Sequence, residues 1–434
     1  MRKSLLAGAS LVVLVAVGAC SVKDTSTGGS TSQPSGSAAA AKKEISFLVF
    51  ETPNLTPQFW DDNIKRVSEK LGDVTVKKIV ATGDRTPFAK QLLASGQFPD
   101  IQIGLQDLPS FADGGHLYAW TDEELKDFVC AKCSAIGGKV VQLPANTQTW
   151  QVYYRKSLFE KAGIKEAPKT YADLLKDADL LKAKGVQPFV IAGGPTPWAS
   201  SLTWTGELTT DLYAGNPDWM HQRREGKTKF DSPEFLKATK KFADLAAKGY
   251  LNKKEISRDY PSGEAAFLAG KGAMYMMGSW FASAGDKSAI KDDIGIFAWP
   301  ADDGSMKLPA FTGGGLSVNA QSPNVDAAKR FALAWQTDKA YLDTSAVADA
   351  LFPAIKGYEL PGDIGTVMKG TYELYKQARD ANALVPSFGW EQGDDGMIAG
   401  MQEKWALSSQ DLITGKKSAE DVAKYLDTEW DKAS

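Results

Sequence analysis

Histidine is nearly absent from this chain of 434 residues, which has only His116 and His221. Imidazole is the usual general base and the commonest metal ligand, so the shortage weakens acid–base, triad and most metal chemistries as readings of the function. Cysteine is scarce as well, with three residues, Cys20, Cys130 and Cys133. No second C-x-x-C accompanies the Cys130–Cys133 pair, so a four-coordinate zinc site lacks ligands. There is no basic excess: 50 Lys and Arg stand against 53 Asp and Glu, a formal net charge of −3. That balance argues against a general nucleic-acid binder. The lysines are scattered among acidic residues, as on solvated helix faces. Long apolar runs are missing beyond the N-terminus, and the run there, Leu5 to Val17, falls short of the ~20 residues a spanning helix needs. No internal repeat is found.

The N-terminal residues carry an address instead. Arg2 and Lys3 precede the apolar run, which closes in Val17-Gly18-Ala19-Cys20. Length and flanks predict a secretory signal peptide over residues 1–19. The small residues before Cys20 look like a bacterial lipobox, which implies cleavage before Cys20 and lipid on its thiol. The alternative is a plain signal peptide with an incidental cysteine. Residues 20–43 form a Ser/Thr/Gly/Ala-rich stretch that cannot bury a core and reads as a flexible tether. The expected location is the extracellular face of the cell membrane, held by acyl chains rather than by a spanning helix. In an exported chain, Cys130 and Cys133 are expected to form a short-range disulfide; a redox pair or half a zinc site are the other readings.

The remaining length is too great for one core and predicts two domains. Ile45 to Phe50 reads as a buried strand; Trp60, Ile64, Val67 and Leu71 mark a helix face. Val74–Val80 is a second strand, Pro87–Ala94 a helix and Asp100–Ile103 a third strand, an α/β pattern with a mostly parallel sheet. The pattern recurs. Val140–Leu143, Val152–Tyr154, Phe189–Ile191, Ala273–Met277 and Ile294–Phe297 are further strands. Thr170 with Asp173, Ser232-Pro233 and Ser418 open helices. From about Tyr341 onward the chain reads as mostly helical. Two α/β lobes of this kind bind ligand between them, near the ends of strands.

Aromatic residues are plentiful, with 12 Trp, 13 Tyr and 19 Phe. Most aromatics are core, but several of these tryptophans sit beside Gly, Pro, Ser or Thr. A sugar offers weakly apolar C–H faces that pack on rings, and hydroxyls that need carboxylates, amides and backbone groups. The sequence offers both after element ends: Glu51, Thr52 and Asn54; Gln106 and Asp107; Gln148 and Trp150; Trp198 and Trp204; Trp280; and Trp390 with Glu391. Trp150 and Trp204 read equally well as core, Asp107 as a helix cap and Asn54 as a turn former. The Gly313-Gly314-Gly315 run lacks a P-loop's Lys-Ser/Thr continuation and fits close backbone approach at a hinge or at the ligand better than a phosphate cradle.

The segment Gly263-Glu264-Ala265-Ala266-Phe267-Leu268-Ala269-Gly270-Lys271-Gly272-Ala273-Met274-Tyr275-Met276-Met277-Gly278-Ser279-Trp280 resembles the signature of the maltose-binding-protein-like solute-binding proteins of ABC importers. Ala94 to Ile101, Val152 to Ile164 with Pro168 to Tyr171, and Thr312 to Val318 are similar to other stretches of that family, in the family's order. Two departures stand out: Arg155 replaces the usual Asn, and Gly104 and Leu105 replace an aromatic that often follows the third strand. The resemblance implies an α/β, two-lobe periplasmic-binding-protein-like (type II) fold with a ligand cleft between lobes. One lobe would comprise residues 44–148 and 310–340, the other 149–309 and 341–434, closing by hinge motion near Thr147–Gln151 and Pro309–Thr312. It places Glu51, Asn54, Gln106, Asp107, Trp280 and Trp390 in the cleft, with Gln148, Trp198, Gly314 and Glu391. The implied partners are a carbohydrate, an oligosaccharide above all, and the permease subunits of an ABC importer. The implied chain is a monomer without cofactor, metal, nucleic acid or catalysis. Rival readings are a secreted glycoside hydrolase using a carboxylate pair and a binder of peptides or polyamines.

Overall fold

The computed structural model describes residues 42–129, 132–133 and 135–434. The signal peptide, Cys20, most of the tether and Cys130 lie outside the described residues. Cys133 is disulfide-bonded. Among the described residues no helix is long and apolar enough to cross a membrane.

Runs of β-branched and aromatic residues fold as strands where turn formers bound them. The chain opens with β1 (Lys43–Val49), β2 (Val74–Val80) and β3 (Ile101–Ile103); Lys43 is already in the ladder, opposite Val74, so the expected tether ends one residue early. A small hairpin, β4 (Ala135–Ile136) with β5 (Lys139–Val140), precedes the long β6 (Pro144–Arg155). Then come β7 (Met274–Gly278), β8 (Ile294–Phe297), β9 (Leu308–Gly314) and β10 (Leu316–Val318). The last are β11 (Phe352–Pro353) and β12 (Leu384–Pro386).

The first sheet has the order β10-β3-β1-β2. Its β1–β2 and β1–β3 pairs are parallel, and β10 returns antiparallel to β3. The second sheet is built on β6, and here the expectation of a mostly parallel sheet is corrected: β7, β8, β9 and β11 all pair with β6 antiparallel. The reason is that β6 serves two regions at once. Asn146 to Thr149 pair with β9, while Trp150 to Arg155 pair with β7 and β8. β6 and β9 are therefore the crossovers, and they are zipped together, with Thr147 opposite Thr312 and their hydroxyls 2.9 Å apart.

Two cores flank these crossovers. In one, Phe47 sits edge-on to Trp60 (6.2 Å) and Trp335 (5.3 Å), and the two indoles stack at 6.0 Å and 11°. In the other, Trp204 stacks on Phe242 (5.8 Å, 9°) and Trp405 (5.5 Å, 23°), joining three helices. Trp204 thus belongs to the core. The lobe boundary expected after residue 340 meets a helix, Lys339–Asp349, that packs on both cores. Tyr341 and Leu342 belong to the first core, whereas Ala346 and Ala350 belong to the second. The change of core falls inside this helix, because its two ends bury side chains on different sides.

The glycine run is explained by crowding between backbones. A Cβ on Gly315 would lie 1.9 Å from the Leu143 carbonyl oxygen, and Gly314 has φ +73°. Gly315 accepts a hydrogen bond from Gly104 N–H at 2.9 Å. These contacts tie the start of β10 to the ends of β3 and β6, as expected of a hinge and not of a phosphate loop.

Candidate functional site

The tryptophans that sequence reasoning singled out converge. Trp280 follows β7, and a side chain on Gly278 would strike its ring, with a Cβ 2.1 Å away; the glycine lets the indole fold back. Trp280 then stands edge-on to Trp150 (5.9 Å) and Trp198 (6.0 Å). Trp390 lies 5.2 Å from Trp150 and 6.1 Å from Trp198. Tyr260 extends the wall, 5.3 Å from Trp198. Trp150 is the floor, with 0 % exposure, while Trp280 and Trp390 keep 9 % and 5 %. Trp198, at the start of helix Pro197–Leu208, is the most open of the four tryptophans. The indole N–H groups of Trp150 and Trp390 have no hydrogen-bond partner among the described residues.

Asn54 meets this wall from the first lobe. Its side-chain amide donates to the Trp280 carbonyl (3.1 Å) and to Asp349 Oδ1 (2.9 Å). Asp107 also bridges the lobes, from a left-handed backbone (φ 52°) that only a few non-glycine residues adopt. Its carboxylate accepts from Ser110 (2.6 Å), from Lys90 and from the backbone N–H of Gly400 (3.0 Å). Gly400 precedes helix Met401–Thr414, so the carboxylate faces the positive end of that helix dipole. A narrow cavity at this seam is lined by Asp107, Pro109, Glu391, Gln392 and Gln402.

The other expected site residues are placed less centrally. Gln148 donates to Asn146 Oδ1 at 2.8 Å, and a Cβ on Gly314 would come within 3.4 Å of its amide nitrogen; both lie on the crossovers. Gln106 donates its backbone N–H to Thr86 Oγ1 (3.0 Å). Glu51 is exposed, 3.8 Å from Lys78 Nζ, and among the described residues no hydrogen bond or ring contact joins it to the tryptophans. Glu391 lines the seam cavity, but its carboxylate is buried and makes no hydrogen bond of good geometry; the Tyr213 hydroxyl lies beside it. Burial pushes this carboxyl up to about 8, so near neutrality it is largely protonated.

Sequence reasoning missed four groups that the fold brings to the same place: Asp349, Arg85, Glu264 and Tyr260. Asp349 receives Asn54; burial raises its carboxyl to about 6, with Asn54 and Arg85 acting in the opposite direction. Arg85 covers the face of Phe50 at 4.1 Å and donates from Nε to the Gly104 carbonyl. Glu264 accepts from the Tyr260 hydroxyl at 3.0 Å, and burial raises it to about 7. The helix bounds of the fold, rather than the pattern that starts the first helix at Pro87, carry the signal. Arg85 is the first residue of helix Arg85–Ala94 and Asp349 the last of helix Lys339–Asp349, so each charge sits at the helix end whose dipole opposes it.

Comparison with known proteins places this geometry. The profile of the bacterial extracellular solute-binding protein family matches residues 52–342. The chain belongs to that family. This solute-binding protein is 25% identical over 270 residues to the multiple sugar-binding protein of Streptococcus mutans, a match covering 58% of this chain and 62% of that one. It is 28% identical over 153 residues to the sn-glycerol-3-phosphate-binding periplasmic protein of Brucella abortus, which covers 32% of this chain and 33% of that one. The match therefore spans less than two thirds of either relative. Among solved structures, a chitin oligosaccharide binding protein superposes with a TM-score of 0.79 at 23% identity, covering 90% of this chain and 99% of that one. A Bacillus licheniformis sugar transporter in complex with stachyose gives 0.71 at 16% identity, covering 90% and 100%. The fold is the two-lobe α/β arrangement of these solute-binding proteins.

The two departures noted in the sequence also find their places. Arg155 forms an ion pair with Asp293 (2.6 Å) and donates to the Leu268 carbonyl (3.2 Å). Gly104 gives room to the Arg85 guanidinium, since a Cβ there would lie 2.9 Å from Nε.

Proposed function

We propose that this solute-binding protein is the extracellular substrate-binding component of an ABC importer, that its ligand is an oligosaccharide, and that a lipid on Cys20 holds it at the outer face of the membrane. The observation that carries the reading is the meeting of Trp198, Trp280 and Trp390 around Trp150 with Asn54 and Asp107 at the seam between lobes. Indoles supply flat apolar faces for pyranose C–H groups, and the amide and carboxylate supply directional partners for hydroxyls. The chain works as a binder, without catalysis. A sugar touching both lobes favours the closed state by its differential contacts, and β6 and β9 are the segments that flex. The closed, loaded form then presents its face to the permease as a monomer.

A thermal-shift screen tests this. A neutral oligosaccharide raises the melting temperature by mass action, and peptides and polyamines do not. Incubation with the same sugars releases no new reducing ends; steady hydrolysis would favour a glycosidase. For the anchor, wild-type cells retain the protein on the membrane, and Cys20→Ala releases it to the medium. Retention of the variant would refute lipidation.

A further inference from the structure

We infer that Arg85 and Asp349 together form a specificity-determining subsite that grips adjacent hydroxyls of an uncharged sugar, the guanidinium donating and the carboxylate accepting. The inference rests on the sugar reading above and adds two residues and a charge class to it.

Position is the first argument. Asp349 shares the Asn54 amide with the carbonyl of Trp280, at 2.9 and 3.1 Å, so it stands beside the aromatic wall where the lobes meet. Arg85 reaches the same place from the first lobe, lying over Phe50 at the end of β1. The two charges act on each other through space, without a hydrogen bond between them. Beyond Nε on the Gly104 carbonyl, the Arg85 guanidinium makes no hydrogen bond among the described residues, and Asp349 uses only Oδ1. Both residues are half-buried, and burial is the largest influence on each charged group. The unused guanidinium donors of Arg85 and the unused Oδ2 of Asp349 are together the complement of two neighbouring hydroxyls.

The helix dipoles do not favour this placement. A cation at a helix N-terminus and an anion at a C-terminus are each disfavoured by the dipole. The residue after Asp349, Ala350, is left-handed (φ 42°). Local rules broken together mark functional positions, and the Asn54, Phe50 and Gly104 partners hold the two charges in place without using all their hydrogen-bonding groups.

The charge inventory then selects the ligand. Asp349 feels Glu264, Arg85 and the exposed Lys287. Arg85 and Asp349 cancel, and Glu264 stands behind Tyr260. A neutral sugar satisfies both members, whereas a phosphate paired with Arg85 would face Asp349 and Glu264. The preference should therefore be opposite to that of the sn-glycerol-3-phosphate-binding relative.

The test is calorimetry on the full mature protein, using the tightest-binding member of a chito-, xylo-, malto- and raffinose-series panel, with glycerol 3-phosphate as the anionic probe. Arg85→Gln and Asp349→Asn should each weaken sugar binding at least ten-fold while melting temperatures stay near the wild type. Arg85→Lys, which keeps the charge but not the fork, should also weaken it. The double variant should lose about as much as the worse single variant, since both groups serve the same hydroxyls. Glycerol 3-phosphate should not bind the wild type. Folded single variants with wild-type affinity, or tight binding of glycerol 3-phosphate, would overturn this subsite while leaving the sugar reading standing. A wild type that binds no member of the panel would overturn both.

Discussion

Glu391 follows Trp390 in the sequence, a position that marks it as a partner for hydroxyls, and it does line the seam. Its carboxylate, however, turns into the second lobe beside Tyr213, and burial raises it to about 8. The consequence for stability has a definite sign. An acid whose folded pKa lies above its unfolded value of 4.5 binds its proton more tightly in the folded state, so its contribution is lost as pH rises from about 4.5 to about 8. Glu391→Gln keeps the shape and removes that loss. The variant should match the wild type in melting temperature at pH 4.5 and exceed it at pH 8, by on the order of 1–3 kcal/mol in stability. Equal melting temperatures at pH 8 would show that the carboxylate is not held protonated. The residues that sequence reading missed fail for a related reason. Arg85 and Asp349 become neighbours only through folding, and neither sits in an aromatic or glycine-rich stretch. Their opposition to the helix dipoles emerges only with the helix bounds that the fold sets, since the sequence pattern starts the first of these helices at Pro87 and marks no helix end at Asp349.

At the scale of elements, local signals were reliable where the segment decides its own structure. The strand Val74–Val80 and the strand Ile294–Phe297 form over those bounds. The Thr170–Asp173 capping box is present, and the helix opened by Ser418 has one too. Elements defined by their partners were not legible. The strand Pro144–Arg155 shows a strand pattern only from Val152, because Asn146, Thr147 and Gln148 interrupt its apolar pattern; pairing with β9 holds them extended. The two- and three-residue strands β11 and β12 contain proline and take all their order from β6 and β9, so the C-terminal part is less uniformly helical than its sequence implies. The Gly313–Gly315 run, by contrast, is a place of close backbone approach, as its sequence implies. Gly315→Ala should destabilise the fold by roughly 1–3 kcal/mol, since the Leu143 carbonyl cannot retreat without disturbing the crossover. Chemical denaturation measures this, and a variant as stable as the wild type would show that the crossover yields.

For the molecule as a whole, the described lobes touch through hydrogen bonds that include Asn54 to the Trp280 carbonyl, Gly400 N–H to Asp107, Gln392 to the Leu105 carbonyl at 3.5 Å, and the Gly137 and Gly138 N–H groups to the Asp394 carboxylate. Ligand entry requires these contacts to part while β6 and β9 bend. Being polar, they separate at low cost compared with either core, so an open form is accessible. Small-angle scattering should show a smaller radius of gyration in the presence of a sugar that raises the melting temperature; an unchanged radius would mean that binding does not close the cleft. The central claim is that a sugar is held on the indoles at the seam. It is tested most directly by titrating the wild type and Trp280→Ala calorimetrically with the same oligosaccharide. The account predicts saturable one-to-one binding to the wild type, and a loss on the order of 100-fold in a variant that remains folded, as for a central aromatic anchor. Undiminished affinity in Trp280→Ala would contradict it.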